Sequence, residues 1–135
     1  MTKLILIFIG AGFGGTLRYL ASGWAQNLTL FNTSSTLFPT GTLFVNILGC
    51  LIIGFLATAL TGNTAPIRID EQYRIAIIVG ILGGFTTFSS FGYETLELLK
   101  EREFMLALLN ITISNIGGLA AAFLGWKFAQ KLFGL

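Results

Sequence analysis

The sequence predicts an all-α membrane protein with four transmembrane helices, the third of them broken. Three observations carry that reading. Charged residues make up only 10% of the chain and apolar residues 54%, where soluble domains carry about 25% charged residues. The mean hydropathy is +0.82, and 135 residues are too few to hide so much apolar surface in one aqueous core. Finally, the charges divide the chain into four apolar stretches. Spanning hydrocarbon as a helix takes roughly 20 residues, and in lipid only helices or closed barrels satisfy the backbone.

The stretches run from Leu4 to about Ala21, Thr42 to Thr61, Ile75 to Tyr93 and Phe104 to Trp126. With their flanks they predict spans at about 4–24, 41–61, 74–98 and 104–131 in one membrane domain. Arg18 interrupts the first, which places it near a helix end or facing a watery cavity. Gln26 to Thr40 reads as a loop rich in Asn, Thr and Ser with Pro39 near its end, and Thr61 to Gln72 as another. Lys100 to Glu103 is a charged turn. No basic block points to nucleic acid. The single Cys50 excludes an intrachain disulfide and histidine is absent, so no nucleophile–base pair or paired intramembrane carboxylates support an enzyme.

Two decoys fall away. Gly10, Gly12 and Gly15 fit a G-x-G-x-x-G fingerprint after an apolar run, but a ribose-binding acid is expected about 20 residues on and the first acidic residue is Asp70. Glycines that let helices approach in lipid are the better reading. A cleaved leader starting at Lys3 is poorly matched by the glycine run and Arg18.

Orientation is balanced. Four spans put Lys3, Arg68, Arg74, Lys127 and Lys131 on one side and Arg18, Lys100 and Arg102 on the other. The positive-inside rule needs a clearer bias, so insertion both ways up, and hence an antiparallel dimer, is permitted.

The third span holds the strongest chemical signal. Gly80, Gly83 and Gly84 precede Phe85-Thr86-Thr87-Phe88-Ser89-Ser90-Phe91, a poor helix interior. A break there frees carbonyls for a cation and amides or hydroxyls for an anion, in backbone that must be buried in protein or line a cavity. Phe85, Phe88 and Phe91 form a ridge if helical. It serves packing, or it turns the positive ring edges toward an anion. Asn46 in the second span must face protein or water, as must Asn110, Thr112, Ser114 and Asn115 in the fourth. Glu94 is placed at the interface. Arg18 snorkels outward or lines a vestibule.

With these residues the chain resembles the Fluc/CrcB family of fluoride channels. The matching pieces are Gly14-Gly15-Thr16-Leu17-Arg18-Tyr19, Pro39-Thr40-Gly41-Thr42-Leu43-Phe44-Val45-Asn46 and, most specific, Gly83-Gly84-Phe85-Thr86-Thr87-Phe88-Ser89-Ser90-Phe91. The resemblance runs end to end. It implies a dual-topology antiparallel homodimer in the cell's inner (plasma) membrane, with two parallel pores that export fluoride passively and relieve its toxicity. It implies that Phe88 and Phe91 face the ion and that Asn46 positions that region. Backbone carbonyls of Gly83 and Thr86 from both subunits would hold a central structural sodium ion. Arg18 lies toward the vestibule, Asn110 and Ser114 fall on a polar track in the fourth helix, and Thr87 and Glu94 are further candidates. Gly118 stands where some relatives carry a hydroxyl. Neutral donors suit a small, strongly hydrated anion because they replace its water without trapping it. A four-span drug exporter, the main rival, needs a carboxylate in an early helix, and none precedes Asp70. A non-transporting packing subunit would have no use for the polar lining.

Overall fold

The computed structural model describes residues 1–27, 38–61 and 65–135. Most of the first predicted loop, and part of the second, lie outside the described residues. Four long apolar helices make up the described chain, with no strand among its described residues. They are α1 (Thr2–Gln26), α2 (Thr40–Leu60), α3 (Glu71–Lys100) and α4 (Phe104–Phe133). Each is long and apolar enough to cross a bilayer.

Helix boundaries follow local chemistry. Pro39 precedes α2, where a residue without an N–H costs the first turn nothing. Glu71 sits in the first turn of α3, where a negative charge complements the helix dipole. Between α3 and α4 the chain reverses through Glu101–Glu103. There the Arg102 N–H donates to the Leu99 carbonyl at 3.1 Å and the Glu103 N–H to the Leu98 carbonyl at 2.9 Å. That bonding pattern requires a left-handed residue, usually glycine, and here Arg102 takes it with φ 61°. Gly134 closes α4 in the same conformation, with φ 70°.

Packing between the helices rests on backbone contact. α1 lies against the first half of α3 and also against α2; α2 lies along the second half of α4. A Cβ on Gly14 would run into the Ile81 carbonyl oxygen, and one on Gly54 into that of Ala122. Such close approach is how helices associate in lipid, where apolar burial supplies little drive. The glycine-rich run of α1 therefore packs helices: Gly10 and Gly14 face α3, while Gly12 and Gly15 meet nothing within 4 Å. Lys3 and Glu71 join the starts of α1 and α3 through an exposed ion pair of 2.8 Å.

Neither α3 nor α4 is a uniform α-helix. Ala76–Leu82 in α3 and Ile113–Gly117 in α4 are π-helical. Within α3, Thr86 (φ −89°, ψ 158°) and Thr87 (φ −151°, ψ 113°) are extended, between helical Gly83–Phe85 and helical Phe88–Lys100.

Candidate functional site

The extended pair Thr86–Thr87 lies deep in a membrane-crossing helix, so its backbone groups need partners that water cannot supply. Thr86 keeps its N–H bond to the Leu82 carbonyl at 3.0 Å, and Asn46 of α2 provides the partners of Thr87. Its Oδ1 accepts the Thr87 N–H at 2.8 Å and its Nδ2 donates to the Thr87 carbonyl at 3.0 Å. In an unbroken helix the Thr87 N–H would go to the Gly83 carbonyl; taken by Asn46, it releases that oxygen. Arg18 adds a longer contact, Nη1 to the Thr86 carbonyl at 3.4 Å. The side chain of Thr87 then caps the following helix, Oγ1 accepting the Ser90 N–H at 3.2 Å, as an N-cap threonine does. It also donates to Ser90 Oγ at 3.1 Å.

Just beyond the cap, Phe88 is 81% exposed. Its ring lies 5.4 Å, centroid to centroid, from that of Phe91, with the planes tilted by 45°. Both rings border an open cavity of about 360 Å³ lined by three helices. α2 contributes Asn46, Gly49 and Cys50, α3 contributes Gly83, Thr86, Thr87, Phe88 and Phe91, and α4 contributes Ser114 and Asn115. Gly49 is needed at this wall, since a Cβ there would strike the methyl group of Thr86.

Other candidates lie beside the cavity. Asn110 is buried at 1% exposure. Its Nδ2 donates to Thr95 Oγ1 at 2.9 Å, and Thr95 Oγ1 donates to the Phe91 carbonyl at 2.7 Å. Ser114 Oγ reaches Asn110 Oδ1 at 3.4 Å. A polar relay thus runs from the cavity wall at Ser114 through the α3–α4 seam to the backbone of Phe91. Glu94, read from sequence as interfacial, turns its carboxylate to α2: Oε1 accepts the Thr42 hydroxyl at 2.6 Å and Oε2 is buried without a protein partner.

The structure therefore brings Asn46, Thr87, Phe88, Phe91 and Ser114 to one cavity, whose lining also includes Gly83 and Thr86. Asn110 supports the cavity from behind, and Arg18 reaches the break from α1. The Asn46–Thr87 pairing had no local signal in the sequence, because it joins positions in different spans. Asn115, read from sequence only as one of the polar residues of the fourth span, also stands on the wall, and Cys50 there was missed; its only hint was a thiol inside an apolar run.

Four spans around a cavity with a braced extended segment in its wall define a small multi-pass membrane protein. Residues 5–126 match the family described as CrcB-like protein, Camphor Resistance (CrcB), and the chain belongs to that family. Its relatives bear the name fluoride-specific ion channel FluC, a non-enzymatic class. One from Parabacteroides distasonis is 40% identical over 93% of this chain and 91% of its own. One from Sulfurovum sp. (strain NBC37-1) is 39% identical over 99% of this chain and 100% of its own. One from Helicobacter pylori (strain G27) is 35% identical over 94% of this chain and 92% of its own. In a bacterium a channel of this kind is a plasma-membrane protein.

Proposed function

We propose that this chain is a fluoride-selective channel that works as an antiparallel dimer of two identical copies and lets fluoride leave the cell down its gradient. The observation that carries the reading is the extended Thr86–Thr87 segment, its Thr87 backbone braced by Asn46, immediately beside the exposed Phe88 and its neighbour Phe91. A small anion loses its water only if close donors replace it. Ring edges of Phe88 and Phe91 and the remaining N–H of Asn46 offer partial positive charge without a fixed cation that would hold the ion, and the Ser114 hydroxyl joins them when it turns from its long 3.4 Å bond to Asn110 Oδ1. Thr87 shapes the path through its cap, Asn110 through the relay to Phe91, and Arg18 draws anions toward the mouth.

What one copy leaves uncovered supports the dimer. Gly83, Phe88 and Ser89 are exposed, and freed backbone at membrane depth persists only where protein or a cavity covers it. A second copy of this chain, inserted the other way up, covers that face, and the near-balanced lysines and arginines permit either orientation. One aromatic ridge per copy yields two pores.

The same face offers donors for a sodium ion between the copies. Backbone carbonyls are hard oxygen donors suited to such a cation, and the Gly83 oxygen has lost its helical N–H. Among the described residues no cluster of His, Cys, Asp or Glu could hold a metal, so a cation here rests on carbonyls of Gly83 and Thr86 from both copies. The ion would supply fixed positive charge that ties the two interruptions together.

Expression in a fluoride-sensitive bacterial strain tests the proposal. Growth restored in fluoride medium, with unchanged sensitivity to cationic dyes, is the expected result. Dye resistance without fluoride resistance would instead favour an exporter.

A further inference from the structure

Ser114 and Asn115 are neighbours in sequence, yet both border the cavity. On an α-helix successive side chains diverge by about 100°, which sends one of any adjacent pair away from a narrow wall. Here the pair falls inside the π-helical Ile113–Gly117. Bonding from i to i+5 widens the turn and brings successive side chains onto closer headings, a distortion that recurs at functional sites. α2 closes directly over this turn. A Cβ on Gly117 would lie 3.2 Å from Ile47 Cδ1, and one on Gly118 3.3 Å from Cys50 Sγ.

Asn115 is also under-used by the protein. Its Nδ2 donates to the Ile111 carbonyl at 2.7 Å, while its second N–H and its Oδ1 have no protein partner among the described residues. It is exposed in an apolar span, where an amide without partners is costly. Asn46, the other amide on the wall, commits both its oxygen and one N–H to Thr87. Asn115 commits a single N–H.

We propose that Asn115 is a second amide donor to the permeating anion, carried onto the cavity wall by the π turn of α4. The inference rests on the anion-channel reading above. It makes α4 a two-residue contributor, with the Ser114 hydroxyl and the Asn115 amide side by side, and the π turn a device for presenting adjacent donors to one ion.

The test is fluoride efflux from liposomes containing the full-length protein, run on wild type, Asn115→Leu and Asn115→Asp. Asn115→Leu keeps the side chain's bulk and removes its dipole; efflux is expected to fall about tenfold with unchanged elution on size exclusion. Asn115→Asp places a carboxylate at the station and is expected to fall further. Wild-type rates in both variants overturn the proposal while leaving the channel intact. If wild type itself releases no fluoride, the channel reading fails, and this inference with it. If Asn115→Leu elutes as aggregate, Asn115→Asp decides: efflux at or above wild type refutes the donor role, and efflux at least tenfold below it supports that role.

Discussion

Replacing Asn46 by alanine removes both bonds that hold the extended backbone of Thr87. Thr87 is 8% exposed, so water does not replace them. A buried polar group left unpaired costs about 1–3 kcal/mol, and side-chain bonds within membrane proteins average nearer 0.6 kcal/mol. Two lost bonds therefore place the cost between about 1 kcal/mol, on the membrane-protein average, and about 6 kcal/mol, if both groups stay buried and unpaired. The chain has one escape, which is to wind Thr86 and Thr87 into helix so that the Thr87 N–H returns to the Gly83 carbonyl. That recovers stability but turns Phe88 and Phe91 away from their present headings. Either response stops conduction. Fluoride efflux should fall at least tenfold in Asn46→Ala, with a melting temperature in detergent that drops or holds depending on which response wins. Wild-type efflux in this variant would refute the claim that Asn46 sets the site.

Phe88→Ile is expected to fold normally, because the ring is largely uncovered in one copy, and to conduct poorly; unchanged efflux would remove the ring edges from the path. Arg102→Gly should raise stability by about 1 kcal/mol, since the left-handed conformation taxes a residue with a Cβ, and a lower melting temperature would contradict the turn geometry. Gly54→Val should prevent folding, because its side chain has no room against the Ala122 carbonyl; a monodisperse, active variant would show that α2 and α4 pack otherwise. A high-resolution density map in sodium is expected to show an ion among the Gly83 and Thr86 carbonyls, and continuous helix with no ion would reject it.

The membrane class was readable because apolar runs bounded by charge leave little choice of solvent. The glycine pattern of α1 was readable as packing for a related reason: Gly10 and Gly14 are one helical turn apart, so they share a face. Thr86–Thr87 drew attention through residues that make poor helix. That Asn46 positions this region was implied by the family resemblance alone; its bonds to Thr87 were illegible in the residues themselves, since the two meet only when α2 and α3 pack. The burial of Asn110 was hidden for the same reason: four-residue spacing from Ser114 says they share a face, but not that Thr95 takes the amide. The π turns leave no compositional trace in Ala76–Leu82 or Ile113–Gly117, so the alignment of Ser114 with Asn115 on one wall could not be foreseen. The bond that Glu94 accepts from Thr42 was hidden because Thr42 lies on another helix.

The central claim is that neutral dipoles and aromatic edges, braced at a gap in a transmembrane helix, strip and pass a small anion. The most direct measurement loads liposomes with potassium fluoride, adds a potassium ionophore, and follows release with a fluoride electrode. Vesicles containing this protein should empty their fluoride within the assay, while chloride in matched vesicles stays inside. Fluoride retained as tightly as in protein-free vesicles, or chloride released equally fast, would contradict it.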